Sequence, residues 1–256
     1  MKQRFGAIWH NAWPTWATVL MFFFTWVGSL FFPRFIFPTV TDTFWAVVAI
    51  FTTHYTPLLT TLVRFFVALF AAAFAGWVVG LFMGAFRRYF GRFMRQVTSF
   101  VQAIPAISWV VLAVLWIQSI ELRIFATTFL IAWPFFVIAV YEGIRDMDKD
   151  LLDAVDQFRP SRMQVLRILL VPQSLMTLML AMRSTAAMTL KILVFFELIG
   201  ANNGIGQQFS QAQTTYQIDL IFGWTIVLVM INFMMLWLFD VLERYLFRWR
   251  TEAVVR

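Results

Sequence analysis

Apolar residues gather into six runs, Trp13–Phe32, Leu58–Phe86, Phe100–Ile117, Ile124–Tyr141, Leu175–Ile199 and Leu220–Phe239. Each approaches or exceeds the roughly 20 residues that a helix needs to cross a hydrocarbon core about 30 Å thick. A backbone in lipid must satisfy its own hydrogen bonds, so continuous helices are the expected form. The pattern predicts an all-α polytopic membrane protein with six transmembrane helices. Lys2 and Arg4 precede the first run as the basic flank of a secretory signal would. That run is long and aromatic and lacks an Ala-x-Ala cleavage pattern, so it is expected to be an uncleaved span.

Inside the second run Ala68, Ala72, Gly76, Gly80 and Gly84 recur every fourth position. Small residues at that spacing make a smooth helical stripe that another backbone can approach closely, either within the subunit or in a second one. Pro105 and Pro134 fall in the third and fourth runs, where each removes a backbone donor and is expected to kink or interrupt the helix. The segments between runs are short apart from three. Pro33–Pro57 is rich in Pro and Thr, Gly200–Asp219 is polar, and Glu142–Ser174 interleaves Asp146, Asp148, Asp150, Asp153 and Asp156 with basic residues. The last is expected to form one or two short amphipathic helices outside the bilayer. A single transmembrane domain is expected over 1–256.

Composition removes the soluble alternatives. The chain is 61% apolar and 13% charged, against about 45–50% and about 25% in an ordinary soluble domain. The net charge of +7 could point to nucleic acid, but the distribution of the 20 Lys and Arg gives a different reason. Fifteen fall in the termini and in the loops after the second, fourth and sixth runs, and only Arg34 and Arg123 fall in the alternate loops. Basic residues concentrate on the cytoplasmic side, so both termini are expected to be cytoplasmic, with no nucleic-acid partner. There is no cysteine, and His10 and His54 are far apart, which excludes a thiolate metal site and disfavours an imidazole one. The three lysines, Lys2, Lys149 and Lys191, do not follow glycine, so no phosphate-binding loop Gly-x-x-x-x-Gly-Lys-[Ser/Thr] is present. The chain is not expected to be an enzyme or to carry a metal, a cofactor or a catalytic residue of its own.

Asp153-Ala154-Val155, Arg159, Leu169 and Val171-Pro172 follow the spacing EAA-x3-G-x9-I-x-LP, with offsets of 6, 16 and 19 from Asp153. This resembles the cytoplasmic loop of permease subunits in binding-protein-dependent ABC importers. Phe37-Pro38, Thr61-Leu62-x-Arg64, Ala103-Ile104-Pro105, Ala181-x-Arg183, Glu197-Leu198-Ile199-Gly200-Ala201 and Gly204-Ile205-Gly206 are similar to the nitrate/taurine/sulfonate branch of that family. The family glycine is Arg159 here, followed by Pro160, which pushes the residue before it out of the helical region and so bends the chain.

The resemblance implies a type I importer permease fold with a cytoplasmic coupling helix, in an EAA-like loop spanning about 145–172. It implies that Leu151, Leu152, Asp153, Ala154, Val155, Asp156, Phe158, Arg159 and Pro160 dock on a separate ATPase. Two ABC ATPase subunits would supply ATP and Mg; a second permease copy, as a homodimer, and a periplasmic or extracellular solute-binding protein would complete the importer in the bacterial cytoplasmic (inner) membrane. Arg64, Glu197, Gly200, Gly204 and Gly206 are structural positions by the same resemblance, Glu197 ordering the turn that follows it. Arg64 and Arg183 are expected to anchor helices or pair with acidic partners, and Arg183 also stands as a pathway candidate with Gln102 and Ser108.

Lys191 lies mid-span, where a lone ammonium costs about 2.5–3.5 kcal/mol on insertion scales unless it reaches water or a counter-charge. It is expected either to face the pathway and favour a small anionic solute, or to pair with an acid such as Glu142 or Glu197. A self-contained secondary transporter is the alternative, but no inverted repeat with interrupted spans in matching halves is evident.

Overall fold

The computed structural model describes residues 16, 19–20, 23–24, 26–28, 30–31, 33, 36–86, 88–147, 157–158 and 161–246. The described residues are helical wherever they are regular. In chain order the helices are α1 (Val40–Thr52), α2 (Tyr55–Ala85), α3 (Phe90–Ala103), α4 (Ala106–Trp116), α5 (Ile120–Arg145), α6 (Val171–Gly200), α7 (Ile205–Thr214) and α8 (Ile218–Leu246). A helical turn at Arg162–Gln164 and a π-helical stretch at Val165–Leu170 lead without a break into α6. Among the described residues, four helical stretches are long and apolar enough to cross a membrane: α2, α5, Val165–Gly200 and α8. The described residues of the first apolar run are helical, but its bounds lie outside the described residues.

The third expected span is corrected. In place of one helix over Phe100–Ile117, α3 and α4 meet at a bend of 91°. Ile104, held extended at ψ 126° by the proline that follows, ends α3, and Pro105 at φ −56° opens α4 without donating a hydrogen bond. The loop expected before that span is also largely helix, since α3 starts at Phe90 and carries Arg92 and Arg95. Pro134 behaves differently, lying buried inside an uninterrupted α5.

The Pro/Thr-rich segment is not simply a loop either. Thr39 caps α1, its hydroxyl accepting from the Asp42 amide while the Asp42 carboxylate accepts from the Thr39 amide. This reciprocal arrangement satisfies two otherwise orphaned helix donors. The polar Gly200–Asp219 stretch likewise contains α7.

The chain divides into two compact units, one of residues 1–62 and 197–236 and one of residues 63–196 and 237–256. In the first, α1 packs on α8 with little room: a Cβ on Gly223 would lie 3.0 Å from the Ala46 methyl. The rings of Phe37 and Phe222 meet edge to face at 5.1 Å.

In the second unit the small-residue stripe of α2 meets a matching four-residue repeat on α5. Gly76, Gly80 and Gly84 face Phe136, Val140 and Ile144, and a Cβ on Gly80 would come within 2.7 Å of Val140. The stripe is thus a packing face within the subunit, where two backbones approach because neither side chain stands between them. Beside it Met83, Val137 and Tyr141 form a buried cluster with Val79, Met94 and Trp133, and the Arg95 guanidinium sits 5.1 Å from the Tyr141 ring. Large apolar side chains such as Phe74, Phe82, Trp116 and Trp237 stay exposed, as lipid-facing positions should.

Candidate functional site

In the first unit the end of α6 and the start of α7 are tied together through one carboxylate. Glu197 is fully buried. Its Oε2 accepts from the Thr61 hydroxyl at 2.7 Å and from the Gly206 amide at 3.1 Å. The Thr61 oxygen in turn accepts from the Ile205 amide at 2.8 Å. Both amides belong to the first turn of α7, whose unpaired donors and dipole favour a negative group.

Gly204 makes the approach possible. It sits at φ 122° and ψ 171°, a conformation open essentially to glycine alone, and any Cβ there would run into the Glu197 carboxyl group. Asn203 closes the turn, accepting from the Gly204 amide at 2.8 Å and donating to Thr60 at 3.2 Å. Glu197, Gly204 and Gly206, separated by up to nine positions in sequence, are therefore one structural assembly. Gly200 is the last residue of α6, three residues from it.

The other charged positions sit in the second unit. Arg64 pairs with Glu121 at the start of α5, its Nε donating at 2.8 Å and its second guanidinium nitrogen also in contact. Arg183 pairs with Asp240 at 2.9 Å and lies 3.7 Å from Glu243, so α6 and α8 are joined by one guanidinium shared between two carboxylates a turn apart. Both arginines are thus tied to acids, and Arg183 is engaged with α8 rather than standing free in a channel. Lys191 is exposed and makes no ion pair among the described residues; Glu197, one of its expected partners, is bonded to Thr61 and α7 instead.

A cavity of about 590 Å³ opens among α3, α5 and α6. Its polar lining is Gln102 from α3, Glu142 and Asp146 from α5 and its C-cap, and Thr177, Ser184 and Thr185 from α6. The close fit of Gly143 on Thr177 brings α5 and α6 together at its edge. Asp146 receives a bond of 2.7 Å from Arg145, which holds its carboxyl below the usual carboxylate range. Gln102 is the one pathway candidate in this lining; Ser108, half-buried in α4, and Lys191 are not part of it.

Lys191 nevertheless lies on the same strip of α6 as Ser184, seven residues and about two turns further along, or roughly 10 Å. From sequence Glu142 stood only as a possible partner of Lys191 and Asp146 only as one acid of the cytoplasmic loop, and the hydroxyls of this cavity were not singled out. They come from three helices, and only the i to i+4 placement of Glu142 and Asp146 was a local signal.

Of the coupling positions, Leu151, Leu152, Asp153, Ala154, Val155, Asp156, Arg159 and Pro160 lie outside the described residues. Phe158 is described and is 86% exposed, a large ring left to solvent or a partner.

Residues 76–249 match the family model described as "Binding-protein-dependent transport system inner membrane component". Probable ABC transporter permease proteins of Brucella abortus (strain 2308) and Brucella melitensis biotype 1 are each 25% identical, over 154 and 150 residues. The aligned regions cover 60% and 59% of this chain, and 62% and 61% of those proteins. The chain therefore spans under two thirds of the length of these relatives. Two crystal forms of the MetNI methionine ABC transporter, in inward-facing conformations, contain a chain with a similar fold. The TM-scores are 0.59 and 0.60 at 19% and 20% identity, covering 74% of this chain and 95% and 97% of the other.

Proposed function

The chain belongs to the family of binding-protein-dependent transport system inner membrane components, and on that premise we propose that it is the permease subunit of an ATP-driven importer. The observation that carries this reading is the family match over residues 76–249, which contains the loop with the EAA spacing. The fold suits the role: apolar helices long enough to span a bilayer are braced by the α2–α5 stripe and by the Arg183 pair, and α3, α5 and α6 leave a partly polar cavity between them. ATP and Mg belong to two separate ATPase subunits. A second copy of this chain completes the pathway, and a soluble binding protein delivers the solute to the face formed by α1 and α7. The nitrate/taurine/sulfonate branch is our finer placement, on the motifs from Phe37 to Gly206.

Coupling needs a rigid charged element whose contacts differ between the two states of the ATPases. Residues 151–158 fill that role, with Asp153 at the contact and the exposed Phe158 ring seated in the ATPase groove. Lys191, exposed on α6 and without an ion pair among the described residues, supplies a transient partner for an anionic group on the solute.

The test is affinity purification of the tagged chain from its native membrane, followed by reconstitution. An ABC ATPase should copurify, and Asp153→Arg should reduce transport and stimulated ATP hydrolysis together while the chain still inserts. Transport by the isolated chain under an ion gradient, with no ATPase bound, would establish a secondary transporter instead.

A further inference from the structure

We propose that the cup formed where α2 turns into α3 is a binding site for one anionic phospholipid, its aromatic walls taking the upper part of an acyl chain and Arg88 taking the phosphate. This goes beyond the importer reading, since it needs only that α2 spans the membrane. The cup has a volume of about 530 Å³ and is lined by Phe82, Ala85, Phe86, Arg88, Tyr89 and Phe90. A tight turn builds its walls. Gly91 is buried against α2, where a Cβ would lie 3.1 Å from the Met83 carbonyl oxygen, and its amide donates to the Phe86 carbonyl at 3.0 Å. That approach holds the Phe90 ring edge-on to Phe82 at 6.4 Å, while Phe82 and Phe86 stack at 6.3 Å. All three rings stay exposed, so the cup is open to lipid.

The rim carries charge of one sign. Arg88 is exposed and has no ion pair among the described residues, and its guanidinium lies 5.5 Å from the centre of the Tyr89 ring. Arg92, four residues on in α3, is exposed as well. No Asp or Glu occurs between Asp42 and Glu121, and none lines the cup. No side chain caps the start of α3, so its dipole adds to the attraction for a phosphate. Depth agrees with charge. The apolar run Leu58–Phe86 ends inside the cup, which puts Arg88 and Tyr89 at the level of the lipid headgroups, where basic and aromatic side chains anchor. On the sidedness expected from the basic residues this is the cytoplasmic leaflet, whose anionic lipids attract such segments. A zwitterionic lipid fits the same walls but brings its own cation to the rim, so the charge selects the anionic one.

The absence of cysteine from the chain lets one fluorophore report on the cup. The full chain carries bimane on Ala85→Cys in vesicles that mix phosphatidylcholine and phosphatidylglycerol. One of the two lipids carries a nitroxide at carbon 5 of an acyl chain, and quenching gives their relative affinity at the label. Phosphatidylglycerol should be favoured at least about fivefold, and adding Arg88→Gln should lower that preference about fivefold, the effect of one interfacial basic residue. Arg88→Lys should keep most of it. Bimane on Phe100→Cys, exposed and roughly 15 Å further along α3, should show a much weaker preference.

Tyr89→Cys, on the rim, gives the measurement if Ala85→Cys fails to assemble. Equal quenching by the two lipids at the cup, or a preference unmoved by Arg88→Gln, overturns the proposal. So does an equal preference at Phe100→Cys, because the basic surface then gathers anionic lipid without a site. No outcome depends on transport or ATP hydrolysis, so failure of the importer reading and failure of the lipid site are read separately.

Discussion

At the scale of single residues, the most constrained position is Gly204. Alanine there combines an unfavourable backbone conformation, costing about 1–3 kcal/mol, with displacement of the buried Glu197 carboxylate. Gly204→Ala should therefore lower the thermal unfolding midpoint of the detergent-solubilised protein sharply; a midpoint unchanged from wild type would mean that the turn has another conformation. Thr61→Val keeps the shape of the side chain but removes a donor to the carboxylate and an acceptor for the Ile205 amide. It should cost about 1–3 kcal/mol, read in the same assay. Lys191→Met differs in kind, since the lysine is exposed and unpaired among the described residues. Stability should hold while uptake falls; loss of stability with uptake intact would make the lysine structural. Glu197, Gly204 and Gly206 were visible in the sequence as motif positions. The role of Thr61 was not, because its bond to Glu197 joins residues 136 positions apart and no local pattern encodes that pairing.

At the scale of elements, hydropathy located the apolar centres of the long helices but not their ends. The run Ile124–Tyr141 became α5 at Ile120–Arg145, and Leu220–Phe239 became α8 at Ile218–Leu246. Helices continue into polar flanks because backbone hydrogen bonding propagates one residue at a time, while apolarity marks only the part buried in lipid. The capping box at Thr39 and Asp42 was not read from the sequence, and α1, at 13 residues, is too short to register as a span. The bend at Pro105 and the continuity through Pro134 show why a proline alone does not decide the outcome. Ile104 is extended ahead of the first, whereas the second lies buried within an uninterrupted α5. The α2–α5 stripe carries the element-scale prediction. Gly80→Leu drives a side chain into Val140 and should cost about 1–3 kcal/mol or more by overpacking. Phe74→Leu, on an exposed face of the same helix, should be nearly neutral. Equal effects of the two substitutions in the unfolding assay would remove the stripe from the subunit's packing.

At the scale of the whole molecule, sidedness ties the pieces into one machine. Fifteen of the 20 basic residues occupy the termini and alternate loops, a bias that sets which loops stay cytoplasmic during insertion. On the importer reading proposed above, the loop at 145–172 is expected on the cytoplasmic side. Single cysteines test this without interference, since the chain has none of its own. In intact cells a membrane-impermeant thiol reagent should label Thr41→Cys, in the exposed first turn of α1, and Gln208→Cys, in α7, but should label Asp148→Cys only after the membrane is opened. Labelling of Asp148→Cys in intact cells would place the coupling loop outside, away from any ATP. The importer reading would then fail on topology alone.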